Sequence, residues 1–268
     1  MVTITLADAV RFFECIGAIS LLIQTSEFLR LSVQTSRDGV WTWSVQRGDL
    51  AHATPVVKKA FEILFSDPAL RAHLWLRLLL SSSLFLGSSR LTAALMFTSS
   101  IMLLIRWRGA FNGGSDFMTL VFLTSLMIGN FTAPWLGTEA AWTMALWYAC
   151  VQPLTSYLVS GACKLLATSW RNGQALTYFL DGGIHGPLPT HSIYRKPLVA
   201  IGCSWAFIVW ECTAPLMLLD QRLALIWCSI AVVFHLLVFR FFGLNRFFWA
   251  WVTMFPAIVY CSGWSMPT

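Results

Sequence analysis

Hydrophobic residues are gathered into long segments along most of the chain, with polar stretches between them. Eight such segments can be drawn, and each predicts an apolar helix. Several are shorter than the roughly 20 residues that a helix needs to cross a bilayer, so we expect their ends to extend into the flanking residues. The segments are residues 10–31, 74–86, 91–105, 117–131, 140–166, 197–219, 223–242 and 247–262.

The first segment differs from the others because it contains several charged side chains. A segment of this kind either spans a membrane or lies in its interface. Residues 32–72 follow it, and we predict a polar loop there together with a surface amphipathic helix over residues 55–65. The charged side chains of the first segment are Arg11, Glu14, Glu27 and Arg30.

The connection at residues 167–196 is much longer than the other connections between the later apolar segments. It is rich in glycine and proline, and it contains His185 and His191. Loops longer than about 12–15 residues are uncommon and are often functional. We therefore expect this connection to cover a site.

The composition indicates which solvent surrounds these helices. Soluble domains have roughly 25% charged residues, whereas 11% of this chain is charged and 57% is hydrophobic. The mean hydropathy is +0.68. The sequence therefore predicts an all-α, polytopic integral membrane bundle of about seven or eight transmembrane helices. We expect residues 1–268 to form a single transmembrane domain whose main partner is the lipid bilayer.

The distribution of basic residues predicts an orientation in the membrane. The net charge of +6 does not indicate nucleic-acid binding, because the basic residues form no cluster beyond Lys58-Lys59 and Arg195-Lys196. Cytoplasmic loops are enriched in lysine and arginine, so we expect the odd-numbered loops to be cytoplasmic and the C-terminus to be outside. The basic residues of the odd-numbered loops are Arg37, Arg47, Lys58, Lys59, Arg71, Arg106, Arg108, Arg171, Arg195, Lys196, Arg240 and Arg246.

The cysteines predict neither a metal site nor a disulfide framework. Nearly all of them lie in apolar segments, and no two have CxxC spacing. Free cysteines in such segments usually behave as small buried hydrophobic residues. The seven are Cys15, Cys150, Cys163, Cys203, Cys212, Cys228 and Cys261.

Lys164 is the first candidate for chemistry, because it lies near the end of the apolar segment 140–166. Ionisable residues inside a membrane usually mark functional sites. Ser160-Gly161 lies one turn earlier, and small residues of this kind allow a neighbouring helix to approach closely. Two interpretations stay open. Either Lys164 extends to the lipid headgroups, or it is buried and can act as a general base.

His235 and Glu211 are two further ionisable residues within apolar segments. His235 can be a proton relay, a metal or pigment ligand, or a packed and hydrogen-bonded core residue. No second His or Cys lies at helical ligand spacing from it, so we do not expect a metal there. An unpaired carboxylate would be costly in this setting, so we expect Glu211 to face the bundle and to have a polar or charged partner. The candidate partners are Arg77, Arg240, Glu14 and Glu27.

The turn Asn112-Gly113-Gly114-Ser115-Asp116 precedes the segment 117–131. Its composition predicts a turn that ends in a helix N-cap, either Ser115 or Asp116. It lacks the Gly-Lys-Ser/Thr ending and the preceding strand of a phosphate-binding loop.

Four pieces of sequence occur together in the second half of the chain. They are Phe111-Asn-Gly-Gly-Ser-Asp-Phe-Met118; Tyr157-Leu-Val-Ser-Gly-Ala-Cys-Lys-Leu165 with Trp170-Arg-Asn-Gly-Gln-Ala175; Glu211 followed by Pro215; and Phe234-His235 with Gly243 and Phe247. In this order they resemble the horizontally transferred transmembrane domain (HTTM) superfamily, to which vitamin K-dependent gamma-glutamyl carboxylase belongs. The resemblance covers roughly residues 106–247, and its specific part is the second piece.

The resemblance implies roles for individual residues. Lys164 matches the lysine taken as the base that deprotonates vitamin K hydroquinone, and His235 looks like a histidine implicated near the same site. Trp170 and Glu211, together with His235, are candidate residues for binding a cofactor such as a quinone or hydroquinone. The resemblance thus predicts an enzyme that acts on a quinone-like or peptide substrate, without a metal, in a bacterial inner membrane.

Two departures from the carboxylase pattern favour a different function. Gly113-Gly114 stands where the carboxylase has a histidine. We also expect no large extracytoplasmic domain, so the chain resembles a minimal member of the superfamily. The alternative is a non-catalytic subunit of a larger respiratory or photosynthetic membrane complex. Such a subunit would bind lipid, quinone or pigment, with His235 as a candidate ligand, and would stabilise the assembly.

Overall fold

A computed structural model describes residues 4–36, 39, 41–107 and 112–262, and the secondary structure in these ranges is helical without β-strands. This confirms the all-α fold class. Arg37, Arg108 and Phe111, which belong to the predicted topology and motif, lie outside the described residues, as does the C-terminal stretch 263–268.

Most of the predicted apolar segments form one continuous helix each, and most ends extend into the flanks as expected. The first segment is the helix α1, which has 25 residues. The long helices of the N-terminal and central parts of the chain are α1 (Leu6–Arg30), α5 (Asp67–Ser83), α6 (Arg90–Arg106), α7 (Ser115–Leu136) and α8 (Thr138–Leu166).

Short helices fill the two stretches expected to be loops. None of the residues of α4 (Pro55–Leu64) is buried, so this helix lies on the protein surface. The others are α2 (Ser32–Thr35), α3 (Trp43–Gln46), a 3-10 turn (Arg47–Leu50), α9 (Thr168–Arg171), α10 (Gln174–Asp181) and a 3-10 turn (Ile193–Arg195).

Two of the predicted C-terminal segments are interrupted. Segment 197–219 divides into α11 (Pro197–Cys212) and a 3-10 helix (Ala214–Leu219), and segment 247–262 divides into α13 (Asn245–Val252) and α14 (Phe255–Ser262). The expectation of one continuous helix was wrong in both places. Each interruption precedes a proline, Pro215 or Pro256, which lacks the N–H that would continue the helical hydrogen bonds. Between them, α12 (Gln221–Phe242) is continuous.

The core is built around the antiparallel pair α7 and α8. Gly137 alone joins these helices, and its positive φ of 81° is a conformation that glycine adopts without a Cβ penalty. Helices α1, α11 and α14 pack against α8, while α5 and α6 extend the bundle beside α1 and α7. The residues of the candidate site lie at the end of α8 that is remote from Gly137.

Within the described ranges, two helices, α7 and α12, are long and apolar enough to cross a membrane, and α11 is a shorter apolar helix. Helix α12 exposes a large number of apolar side chains on the protein surface. They are Leu223, Leu225, Ile226, Ile230, Val233, Leu236, Leu237 and Phe239.

Candidate functional site

Lys164 and Glu211 form an ion pair between α8 and α11. The Lys164 Nζ atom lies 2.6 Å from Glu211 Oε2 and 2.8 Å from Oε1, and it donates a further hydrogen bond of 2.6 Å to Ser160 Oγ. The side chain of Glu211 is 3% exposed and that of Lys164 is 17% exposed. Lys164 is therefore held within the protein by its neighbours rather than extended away from it.

Glu211 pairs with Lys164 and with none of the four partners that were predicted for it. Each of those side chains has other contacts: Arg77 donates to Gln24, Arg240 contacts His185, Glu14 pairs with Arg11, and Glu27 pairs with Arg246. The correct partner is the other candidate residue of the site, 47 positions earlier in the chain.

Gly161 brings the two charged residues together. A Cβ atom at this position would lie 2.8 Å from both the backbone nitrogen and the Sγ atom of Cys212, and 2.9 Å from the Cβ of Glu211. The absence of a side chain therefore lets the C-terminal end of α11 lie directly against α8. This confirms the close helix approach predicted from Ser160-Gly161.

A cavity of about 390 Å³ opens beside Lys164. It is enclosed by the end of α8 together with α9, α10, α11 and α12. Among the described residues that line it, Lys164 alone carries a charge, and the others are apolar or aromatic apart from Tyr194 and Cys203. The volume falls within the range of small-molecule sites, which are mostly apolar with a few convergent polar groups.

Trp170 forms part of the cavity wall next to the ammonium group. The centroid of its ring is 5.2 Å from Lys164 Nζ, within the distance of a cation–π contact. Its ring also stacks on Phe179 at 5.6 Å. Residues of α10 and Tyr194 complete this wall, so the long connection covers the cavity as expected. Its two histidines, His185 and His191, do not line it.

His235 lies in a separate, fully aromatic environment. Its Nε2 atom is hydrogen-bonded to the hydroxyl of Tyr157, and the residue is 1% exposed. The imidazole stacks on Trp251 at 5.1 Å and contacts Phe247 and Phe234 at 5.0 Å each. Its Nδ1 atom is buried and has no hydrogen-bond partner among the described residues.

The structure does not bring Lys164 and His235 into contact. Tyr157, which binds His235, lies two turns before Lys164 on α8, a separation of about 10 Å along the helix axis. Its ring also packs on Trp210, the neighbour of Glu211, at 5.1 Å. His235 does not line the cavity, although the adjacent Phe234 does. Tyr157 thus occupies the layer between the two predicted catalytic residues.

Tyr157 is the residue of this region that the sequence did not single out. It is 3% exposed and is surrounded by Trp210, Trp227 and Trp251. The spacing of Tyr157, Gly161 and Lys164 puts them on one face of α8, and this pattern could have linked them.

The turn before α7 differs from its prediction. Gly114, rather than Ser115 or Asp116, is the N-cap residue. The side chain of Asn112 takes over the capping role, because its Oδ1 atom accepts from the backbone N–H of Gly114 and of Ser115 at 3.0 Å. Asp116 accepts instead from the backbone N–H of Asn112.

All seven cysteines are free. Cys150, Cys228 and Cys261 are buried, as expected. Burial was wrongly predicted for the other four, because Cys163 is exposed on the outer face of α8 and Cys15, Cys203 and Cys212 are partly exposed. No group of three or more His, Cys, Asp or Glu side chains suited to a metal ion occurs within the described part of the chain.

Comparison with known protein families, with curated proteins and with solved structures finds no match to this chain.

Proposed function

We propose that the chain is a polytopic integral membrane protein of the HTTM type, with about seven or eight bilayer-crossing segments. The length and composition of α7 and α12 support this, as does the exposed apolar surface of α12. In this proposal α13 and α14 together make one broken segment. The odd-numbered loops are cytoplasmic and the C-terminus is outside, in a bacterial inner membrane.

The proposed activity is the binding and deprotonation of a quinone-like substrate at Lys164. One observation carries it: Lys164 is the charged group of an otherwise apolar and aromatic cavity. An amphipathic aromatic molecule suits such a site, since its ring can lie against Trp170 and Phe179 while a polar oxygen faces the lysine.

The ion pair provides a route for the proton. A lysine can accept a proton only as a neutral amine, so the ammonium group has to lose a proton first. Glu211 Oε2, at 2.6 Å, is the acceptor in place for that proton. The amine of Lys164 would then take a proton from a substrate hydroxyl group, and the charge that develops on the substrate oxygen would lie next to the resulting ammonium group in a mostly apolar cavity.

Trp170 and Glu211 have different parts in this proposal. Trp170 is a binding residue, because its ring lines the cavity and lies against Lys164. Glu211 holds and exchanges a proton with Lys164 without lining the cavity. His235 acts as a positioning residue through its hydrogen bond to Tyr157, because it does not reach the cavity.

The second candidate function is a non-catalytic subunit of a larger membrane assembly, which binds a lipid, quinone or pigment in the same cavity. The exposed apolar face of α12 favours it, because a partner subunit could cover that face as well as lipid could. In this function the ion pair would orient the bound ligand and would not catalyse a reaction of it.

Mass spectrometry of the protein purified in mild detergent distinguishes the two functions. The enzyme proposal predicts an extractable quinone or hydroquinone, no stoichiometric partner polypeptide, and turnover that is lost in Lys164→Ala. The matched control is Lys59→Ala on the exposed face of α4. Stoichiometric partner subunits without turnover would contradict the enzyme proposal and support the subunit.

A further inference from the structure

A second cavity, of about 200 Å³, lies between α1, α5, α6 and α7. It shares no lining residue with the cavity at Lys164. The resemblance to the HTTM superfamily assigns nothing to it. One part of it is formed around Arg77 of α5. Another part is formed by Phe28 and Trp107, whose rings have the guanidinium groups of Arg246 and Arg106 over them at 5.2 Å and 5.5 Å.

Arg77 is 1% exposed and is held entirely by neutral groups. Its Nε atom donates to Thr25 Oγ1 at 3.2 Å, its Nη1 atom to Ser99 Oγ and Ser100 Oγ at 2.9 Å each, and its Nη2 atom to Gln24 Oε1 at 2.9 Å. A guanidinium has five N–H donors, so one N–H on Nη2 is left over. None of the ion pairs between described residues includes Arg77.

The other charged groups near the cavity are arranged around Asp116. Gln24 Nε2 donates to Asp116 Oδ1 at 3.4 Å, and Arg246 Nη1 lies 3.8 Å from the same oxygen. Arg246 also pairs with Glu27 at 3.4 Å, although Glu27 does not line the cavity. The lining therefore contains two guanidinium groups and one carboxylate, and Gln24 separates Arg77 from that carboxylate.

The remaining donors at this end suit an oxygen ligand that accepts hydrogen bonds. Ser100 Oγ accepts from Arg77, so its own O–H is available to donate. A buried charge is costly without an opposite charge and hydrogen bonds. Arg77 already has four hydrogen bonds but, among the described residues, no carboxylate bonded to it directly. A carboxylate in the cavity would bond to its remaining N–H and place the opposite charge in direct contact, with the short charge-assisted hydrogen bond that guanidinium groups favour.

The part of the cavity away from Arg77 determines the chemistry and the size of the ligand beyond its carboxylate. Phe28 and Trp107 stack there with ring centroids 5.1 Å apart and planes inclined by 14°. Leu103, Leu104 and Leu120 complete the apolar wall. A volume of about 200 Å³ equals that of roughly six or seven liquid waters, which restricts the ligand to one ring or a short chain.

We propose that this cavity is a binding site for a small amphipathic monocarboxylate. The carboxylate accepts hydrogen bonds from Arg77 and Ser100, and the apolar body lies against Phe28 and Trp107. The inference does not rest on the function proposed for Lys164, and the two sites can be tested separately.

Isothermal titration of the purified protein with benzoate tests the site, with benzamide as the neutral molecule of the same shape. We expect saturable binding of benzoate and an affinity for benzamide lower by about fivefold or more, since hydrogen bonds to charged groups exceed neutral ones by about 1 kcal/mol or more.

A cavity-filling variant keeps the test independent of the folding role of Arg77. Leu104→Trp places an indole in the cavity without removing a member of the Arg77 network, and it should abolish benzoate binding. The matched control is Leu95→Trp on the same helix, at a side chain that is 41% exposed, and it should bind like the wild type. No saturable binding by the wild type, or equal binding by Leu104→Trp, would show that the cavity and the Arg77 network are structural only.

Discussion

The Nζ atom of Lys164 lies 2.6 Å from the Oε2 atom of Glu211. These two residues belong to different helices, and Gly161 is what lets those helices approach closely enough for the contact. The ion pair turns two isolated charges in apolar segments into one neutral unit that faces an apolar cavity. It explains why both residues can be accommodated, and the proposed chemistry depends on it.

Removing one member of the pair should destabilise the protein more than removing both. Glu211→Ala leaves the lysine without its carboxylate, and breaking a buried pair in this way costs about 3–5 kcal/mol. Lys164→Met combined with Glu211→Met replaces the pair with apolar side chains and should recover much of that loss. Urea unfolding of the single and double variants in mild detergent measures the coupling. Additive effects of the two substitutions would mean that the pair contributes nothing as a unit.

Gly161→Val should separate α8 from α11. A Cβ atom there meets the backbone of Cys212 at 2.8 Å, so the helices have to move apart, at a cost of about 1–3 kcal/mol. The displacement should also weaken ligand binding in the Lys164 cavity. Gly202→Val on α11 is the matched control, because a Cβ at that glycine meets no atom within 4 Å. Equal unfolding midpoints for the two variants would contradict the close approach.

Tyr157→Phe should destabilise the protein by about 1–3 kcal/mol, because it leaves the Nε2 atom of the buried His235 without its hydrogen-bond partner. The double variant Tyr157→Phe with His235→Phe removes both polar groups and should be less destabilised than the single one. Tyr178→Phe serves as the control, since Tyr178 is 78% exposed. The midpoint of thermal unfolding distinguishes these outcomes. An unchanged midpoint in Tyr157→Phe would show that the hydrogen bond does not contribute to stability.

Trp170→Ala should weaken binding of a quinone-type ligand by about two- to thirtyfold, which corresponds to the 0.5–2 kcal/mol of a cation–π or aromatic contact. Trp170→Phe keeps a ring next to Lys164 and should lose less. Equilibrium titration with a water-soluble naphthoquinone measures the change. Trp135→Ala, at an indole that is 78% exposed, should bind like the wild type. Unchanged affinity in Trp170→Ala would remove Trp170 from the site.

The sequence predicted the helices far better than the contacts between them. Segment 140–166 forms the single helix α8. This could be predicted because its apolar residues continue without a break, which is a local property of the sequence. The partner of Glu211 could not be read in this way, since the pairing with Lys164 depends on how α11 crosses α8. Small residues at Ser160-Gly161 gave the only local sign of that crossing.

The two wrongly predicted continuous helices, near Pro215 and Pro256, show that a local pattern can also mislead. Hydrophobicity alone continued segments 197–219 and 247–262 across both prolines, whereas the backbone interrupts the helices there. Proline is not sufficient to predict a break, however, because Pro134 and Pro153 lie within α7 and α8. Whether a helix continues through a proline depends on the packing around it, and the sequence does not contain that information locally.

The most direct test of the central claim is a spectroscopic titration of a soluble naphthohydroquinone under anaerobic conditions, with the wild type, Lys164→Met and the control Lys59→Met. If Lys164 is the base, the wild type and Lys59→Met will bind the hydroquinone and shift its absorption toward that of the deprotonated form. Lys164→Met, used at a temperature below its measured unfolding midpoint, will not produce the shift. An equal shift in all three proteins, or none in the wild type, would contradict a catalytic role for Lys164.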